Sequence, residues 1–354
     1  MRNRVLNRQQ LTTIEKTLLT ARIFDGFWDR WKVHGVQQND LSSIRTSFLT
    51  EEQWVQGWKE QAQAKYLKAK SLELKGLFRE AEITYRTSAL YYQLISWLFS
   101  ECNQQKLEWM NVSLEMTMIA DQLSKFKTNY TSLTIDHYEY FGRVRIPADS
   151  KGVIVIINPL DSTKEELFTY EMDFLEKGYT TISMDGPGQG QTYTKSGLKG
   201  TKASWERFVD GLIDFAYTQF FGQPIYLFGT SSGAAWAIYG SCDKRVSKVV
   251  AVSPAFRNVE IHMPDYFVER TKYVLEEDIV PNYYELPLKR PVFLIHGKKD
   301  VMVKDEDIEQ LFERLPEGKL YLEFREEGHC CNYELSTIRQ KATKWFEGKW
   351  GNSL

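Results

Sequence analysis

Residues 224–240 read PIYLFGTSSGAAWAIYG, an apolar run that breaks into Gly229-Thr230-Ser231-Ser232-Gly233 and continues as an alanine-rich apolar segment. A short apolar run bounded by glycine reads as a buried strand, and the segment from 232 onward reads as a helix. G-x-S-x-G between a strand and a helix forces a sharp turn. The serine hydroxyl projects above the strand ends, while the two glycines leave room for strand and helix to approach. This context makes Ser231 a candidate nucleophile.

Working outward, apolar strands alternate with amphipathic helices on both sides of that turn. Strand 152–158 (GVIVIIN) leads to a helix at 162–177, strand 180–185 (TTISMD) to a helix at 203–219, and strand 224–229 to the helix from 232. Strands 247–253, 291–296 and 319–325 follow, with a closing helix at 333–347. Near-continuous apolar strands joined by helices predict a mostly parallel sheet covered on both faces, with reactive groups at the strands' carboxyl ends. Two strands, SLTIDHYEY from 132 and FGRVRIP from 141, come before this series.

Two further candidates sit at such carboxyl ends. Asp300 closes HGKKD after strand 291–296, and His329 lies in EEGHCC after strand 319–325. A serine at its ordinary pKa is a poor nucleophile, so His329 would take its proton and Asp300 would hold the imidazole. Asp305 and Asp307 are rival acids, but they fall where a helix should begin and suit its dipole. An oxyanion would need two donors, assigned to the backbone N–H groups of Ser232 and Leu160, because Pro159 has no N–H. Ser162 and Glu165 read as an S-x-x-E capping box for the helix at 162–177.

DGPGQG at 185–190 lacks the spacing and the lysine of a nucleotide-binding loop, so it reads as a tight turn beside the site. His34, His137, His262 and His296 show no paired spacing, so neither a metal nor a cofactor is expected. His296 reads as structural.

The first part of the chain has a different period. Trp54, Trp58, Ala62, Tyr66 and Ala69, then Leu77, Ala81, Tyr85, Ser88 and Tyr92, recur at helical spacing, and Gly76 falls between the two stripes. A hairpin of helices 52–75 and 78–99 is predicted, with a third helix from Leu107 to Phe126. No second copy recurs at a 34-residue period, which argues against a solenoid. Six of the ten tryptophans (Trp28, Trp31, Trp54, Trp58, Trp97, Trp109) fall here and read mainly as helix–helix core. The division expected is a helical domain at 1–130 and a sheet-bearing domain at 131–354. Within the latter, 254–290 is long enough to form a small lid, which Tyr266, Phe267 and Tyr273 could line.

Bulk properties narrow the partners. Formal charge is −2 from 45 basic and 47 acidic side chains, which gives no field for nucleic acid or anionic lipid. The N-terminus lacks a signal-like apolar segment, no run is long enough to span a bilayer, and the four cysteines lack CxxC spacing. A cytoplasmic protein with free thiols and a small-molecule substrate is expected.

LDSTKEE (160–166), DGPGQG (185–190), GTSSG (229–233), HGKKD (296–300) and EGH (327–329), behind a helical N-terminal part, resemble one branch of the α/β-hydrolases. That branch holds 2,6-dihydroxypseudooxynicotine hydrolase, fungal chain-shortening polyketide hydrolases and fermentation-respiration switch esterases. The resemblance implies an α/β-hydrolase fold behind a helical cap, a triad of Ser231, His329 and Asp300, and a cap that often contributes to a homodimer. It also implies hydrolysis of a carbon–carbon bond next to a ketone in a small aromatic or polyketide-like substrate. Ester or thioester hydrolysis by the same residues is the alternative, and a non-catalytic binding protein the less favoured one. Asn158-Pro159 departs from the branch, where small residues such as glycine are usual.

Overall fold

Continuous burial along the apolar runs places the sheet at the centre of the fold. The computed structural model describes residues 11–257 and 263–350. Among these residues the strands are β1 (Lys127–Ile135), β2 (Tyr138–Ile146), β3 (Val153–Ile157), β4 (Thr180–Met184), β5 (Ile225–Thr230), β6 (Val246–Val252), β7 (Val292–Gly297) and β8 (Leu320–Phe324). They form one sheet in the order β1-β2-β4-β3-β5-β6-β7-β8. The β1–β2 and β2–β4 pairs are antiparallel, and every pair from β4 to β8 is parallel. Every residue of β3, β4, β5 and β7 is buried.

Helices are numbered α1 (Thr13–Ile23), α2 (Asp29–Val33), α3 (Gln38–Ile44), α4 (Glu51–Leu74), α5 (Phe78–Leu98), α6 (Gln104–Leu123), α7 (Phe168–Glu176), α8 (Gly190–Ser196), α9 (Lys202–Gln219), α10 (Ser232–Gly240), α11 (Asp265–Val274), α12 (Asp305–Arg314) and α13 (Leu335–Phe346). The two-residue period of β5 separates the covering layers. Ile225 and Leu227 join Trp205, Trp236 and Ile308 of α9, α10 and α12. Tyr226 and Phe228 join Phe174 and Ile338 of α7 and α13 on the other face.

The helical part forms for local reasons. Thr50 caps α4 through a reciprocal box with Gln53, and Gly76 (φ 73°) closes the α4–α5 turn. Trp28 lies 5.8 Å from Trp54 and Phe48 lies 4.6 Å from Trp54, centroid to centroid, so these rings build the core of this part. Trp31, Trp58 and Trp97 join the same core, and Trp109 packs at its edge. No helix among the described residues is long and apolar enough to cross a membrane.

Two expectations change. The first strand pair breaks at Asp136-His137, not after Tyr140, because both residues adopt positive φ (50° and 70°) and make a two-residue hairpin turn. The helix expected from 162 starts only at Phe168, so Ser162 and Glu165 form no capping box. Ser162 Oγ instead donates to the Pro159 carbonyl at 2.7 Å, and Glu165 is drawn to Lys164 and Arg143. The stretch 254–290 contributes α11, which packs against α1 through an ion pair of Lys16 with Glu269 and touches the turn after α1 through the contact of Tyr266 with Phe27. His262 lies outside the described residues.

Candidate active site

Ser231 sits between β5 and α10 with φ 53° and ψ −125°, a conformation that a residue with a side chain adopts only when its surroundings impose it. The surroundings are backbone. The Ser231 N–H donates to the Val252 carbonyl at 2.9 Å, and its own carbonyl accepts from Ala234, Ala235 and Ala255. A Cβ on Gly229 would strike the Gly233 carbonyl, and one on Gly233 would strike the carbonyls of Ile157 and Asn158. Both glycines are therefore required by the close approach of α10 to β3 and β5.

The three sequence candidates for chemistry meet here. Ser231 Oγ lies 2.8 Å from His329 Nε2, and His329 Nδ1 lies 2.8 Å from Asp300 Oδ2. The carboxylate is wholly buried, whereas the imidazole keeps 18% of its side-chain surface exposed. Asp300 Oδ1 accepts from the amides of Met302 and Val303 at 2.8 and 3.1 Å, which fixes the carboxylate plane. Burial pushes the Asp300 carboxyl up, but the hydrogen bond and charge of His329 outweigh it and hold the group below the ordinary carboxylate range. Burial pushes His329 down; neighbouring Cys330 and the hydrogen bond and charge of Asp300 raise it well above the ordinary histidine value. With Asp300 ionised, Nδ1 carries the proton and Nε2 is left to accept from the serine hydroxyl.

Backbone strain gathers around these groups. Of the non-glycine residues with positive φ among the described residues, Asp136 and His137 make the hairpin turn. The others are Asp161, Ser231, Ser253, Cys330 and Cys331. Two of them directly follow His329, so the imidazole is presented from a left-handed turn.

The rival acids lie elsewhere. Asp305 pairs with His296 at 2.9 Å and with Lys298 at the start of α12, and Asp307 belongs to the same first turn. His296 is fully buried in β7, as a structural residue would be. His34 is buried against Glu166 at 2.8 Å. Tyr266 leans on Phe27 and Phe267.

Known proteins share the fold that carries this arrangement. A family model described as serine aminopeptidase, S33 covers residues 148–282, a span that includes Ser231 and stops before Asp300. A 2,6-dihydropseudooxynicotine hydrolase of Paenarthrobacter nicotinovorans is 24% identical over 327 residues, 86% of each chain. The hydrolase LUC6 of a Fusarium species is 24% identical over 246 residues, 61% of this chain and 56% of that one. The crystal structure of the 2,6-dihydroxy-pseudo-oxynicotine hydrolase superposes with a TM-score of 0.77 at 21% identity, over 92% of this chain and 96% of that one. The chain has the α/β-hydrolase fold.

In this fold the two expected oxyanion donors are neighbours. Ser232 opens α10, where the first N–H groups have no partner within the helix. The Leu160 N–H donates to Ser232 Oγ at 2.7 Å, so it faces the first turn of α10 but is occupied by a hydroxyl. The loop that carries it is held by the DGPGQG turn, as Gln189 Nε2 donates to the carbonyls of Asn158 and Pro159 at 3.0 and 2.8 Å. Asp185 accepts from the Lys164 amide and ammonium, each at 2.8 Å.

Sequence reading missed the charges of this loop. Asp161, Lys164, Glu165 and Glu166 are all buried and paired, with Glu166 bound by Arg30 at 2.5 Å and Asp161 by Arg270 at 3.0 Å. Burial pushes Glu166 up, yet Arg30 and His34 bring its pKa down to about 2. The signal available was the charged run DSTKEE, placed directly after a buried strand where solvent-facing residues would not be expected.

Proposed function

We propose that this α/β-hydrolase cleaves a carbon–carbon bond next to a ketone in a small aromatic or polyketide-like substrate, using Ser231, His329 and Asp300. The observation that carries the chemistry is the continuous path from Ser231 Oγ through His329 to Asp300, with both steps at 2.8 Å. The choice of bond rests on likeness to the 2,6-dihydropseudooxynicotine hydrolase, which runs through the helical part as well as the sheet.

In the reaction, Ser231 Oγ attacks the ketone carbon while its proton passes to His329 Nε2. The resulting oxyanion would be met by the Ser232 and Leu160 amides, the latter exchanging its bond to the Ser232 hydroxyl for one to the oxyanion. Collapse breaks the adjacent carbon–carbon bond, whose electron pair leaves as an enolate and takes the proton from His329. Water, deprotonated by His329, then attacks the acyl-enzyme, and the proton returns to Ser231 as the carboxylic acid departs. Asp300 stays ionised throughout and balances the imidazolium. Residues 1–130 would serve as the cap.

Purified protein offered a β-diketone and p-nitrophenyl esters in parallel tests this reading. Diketone cleavage that is lost in Ser231→Ala supports it. Rapid ester turnover with no diketone cleavage would replace it with a carboxylesterase, and failure of a fluorophosphonate probe to label Ser231 would remove the serine mechanism altogether.

A further inference from the structure

Leu160 lies between two sets of fixed points. On one side Gln189 holds the carbonyls of Asn158 and Pro159. On the other lies Asp161, a non-glycine residue at φ 60° that is nine-tenths buried. Its carboxylate receives Arg270 Nε and Nη2, each at 3.0 Å, and Trp97 Nε1 at 2.9 Å. Its carbonyl receives Arg30 Nη2 at 2.7 Å. These three partners belong to α11, α5 and α2, and none lies on the sheet that carries Ser231, His329 and Asp300.

Arg270 is itself fully committed. It donates to the carbonyls of Trp97 and Leu98 and to Ser100 Oγ, and its guanidinium lies 3.7 Å from the Trp97 ring centroid. A bidentate guanidinium–carboxylate pair closed by an indole N–H has little freedom to tilt. It fixes a left-handed residue that the loop alone would not hold.

We propose that Asp161, gripped by Arg270 and Trp97, is a positioning residue that aims the Leu160 amide at the oxyanion. The inference rests on the acyl-transfer reading above, and it assigns the helical part and α11 a role in transition-state stabilisation. Asp161 touches no reacting atom and works through Leu160.

The test uses the full chain, p-nitrophenyl acetate as substrate and an aryl trifluoromethyl ketone, which adds to the serine and places an oxyanion in the hole. Asp161→Asn should lower kcat on the order of 10- to 100-fold, the scale of a small misplacement of a donor, and raise the ketone Ki in step while KM stays near wild type. Trp97→Phe keeps the ring and removes one hydrogen bond, so it should show the same split more weakly with its Tm preserved. Unchanged kcat and Ki in a folded Trp97→Phe would overturn the proposal. So would a KM that rises together with Ki while Tm falls in both variants, which would mark the cluster as merely structural. A wild type that fluorophosphonate fails to label at Ser231 would instead overturn the acyl-transfer reading, and the proposal with it.

Discussion

Asp300 gives one oxygen to His329 Nδ1 at 2.8 Å and the other to two backbone amides, so a single carboxylate both anchors its loop and orients the imidazole. Asp300→Asn keeps the shape but offers an amide N–H to Nδ1, favouring the tautomer with the proton on Nε2. A fall in kcat on the order of 10³- to 10⁴-fold with little change in KM is expected. Steady-state kinetics on the turned-over ester or diketone decide it, and a loss below tenfold would mean Asp300 does not orient the base.

Activity should also report the His329 environment. The base must be neutral, and Cys330 and Asp300 raise its pKa well above 6.5 despite burial. Activity therefore falls as pH drops through that raised value, which places the acid limb of kcat/KM above 6.5. Removing the Asp300 charge destabilises the imidazolium, so the limb in Asp300→Asn should move to lower pH. A limb that stays put in the variant would contradict this account.

Gly233 tolerates no side chain because α10 runs against the carbonyls of Ile157 and Asn158. These are backbone atoms of a buried strand end and cannot swing aside. Gly233→Ala should cost about 3 kcal/mol or more in unfolding free energy and abolish activity. Urea denaturation of the purified variant checks this; wild-type stability would show that the elbow has more room than the geometry gives it.

Glu166 joins the sheet-bearing part to α2 through Arg30 and to His34. Its carboxyl is held at about 2 against an ordinary value of 4.5, so its contribution to stability is present above pH 4.5 and is lost as pH falls toward 2. Glu166→Gln leaves Arg30 uncompensated and should lose about 3 to 5 kcal/mol near neutrality. The gap between wild type and variant should narrow as pH falls through that window; a gap independent of pH would exclude linkage through Glu166.

The chain showed some of this plainly and concealed the rest for physical reasons. Ser231, Asp300 and His329 were legible because each follows an apolar strand, and parallel strands deliver their carboxyl ends to one edge. The run DSTKEE at 161–166 was not, since acidic residues after a serine look like a solvated first helical turn. Its pairing partners, Arg30, Arg143 and Arg270, are distant in sequence, so no local pattern could mark those charges as buried. Asp136-His137 was missed as a turn because the sequence there carries no glycine, although both residues accept positive φ.

Asp121 at the end of α6 sits between Arg86 of α5 and Arg145 of β2, each at 2.7 Å. Together with the pair of Arg30 and Glu166 and the Trp97–Asp161 bond, this threads the change from helices to sheet with buried charge. Severing the chain near residue 125 would part Arg145 from Asp121, Asp161 from Trp97 and Arg30, and Glu166 from both Arg30 and His34. The point where strands replace helices is thus a seam in the wiring, and a cut there leaves Glu166 a buried carboxylate with neither of its cationic neighbours.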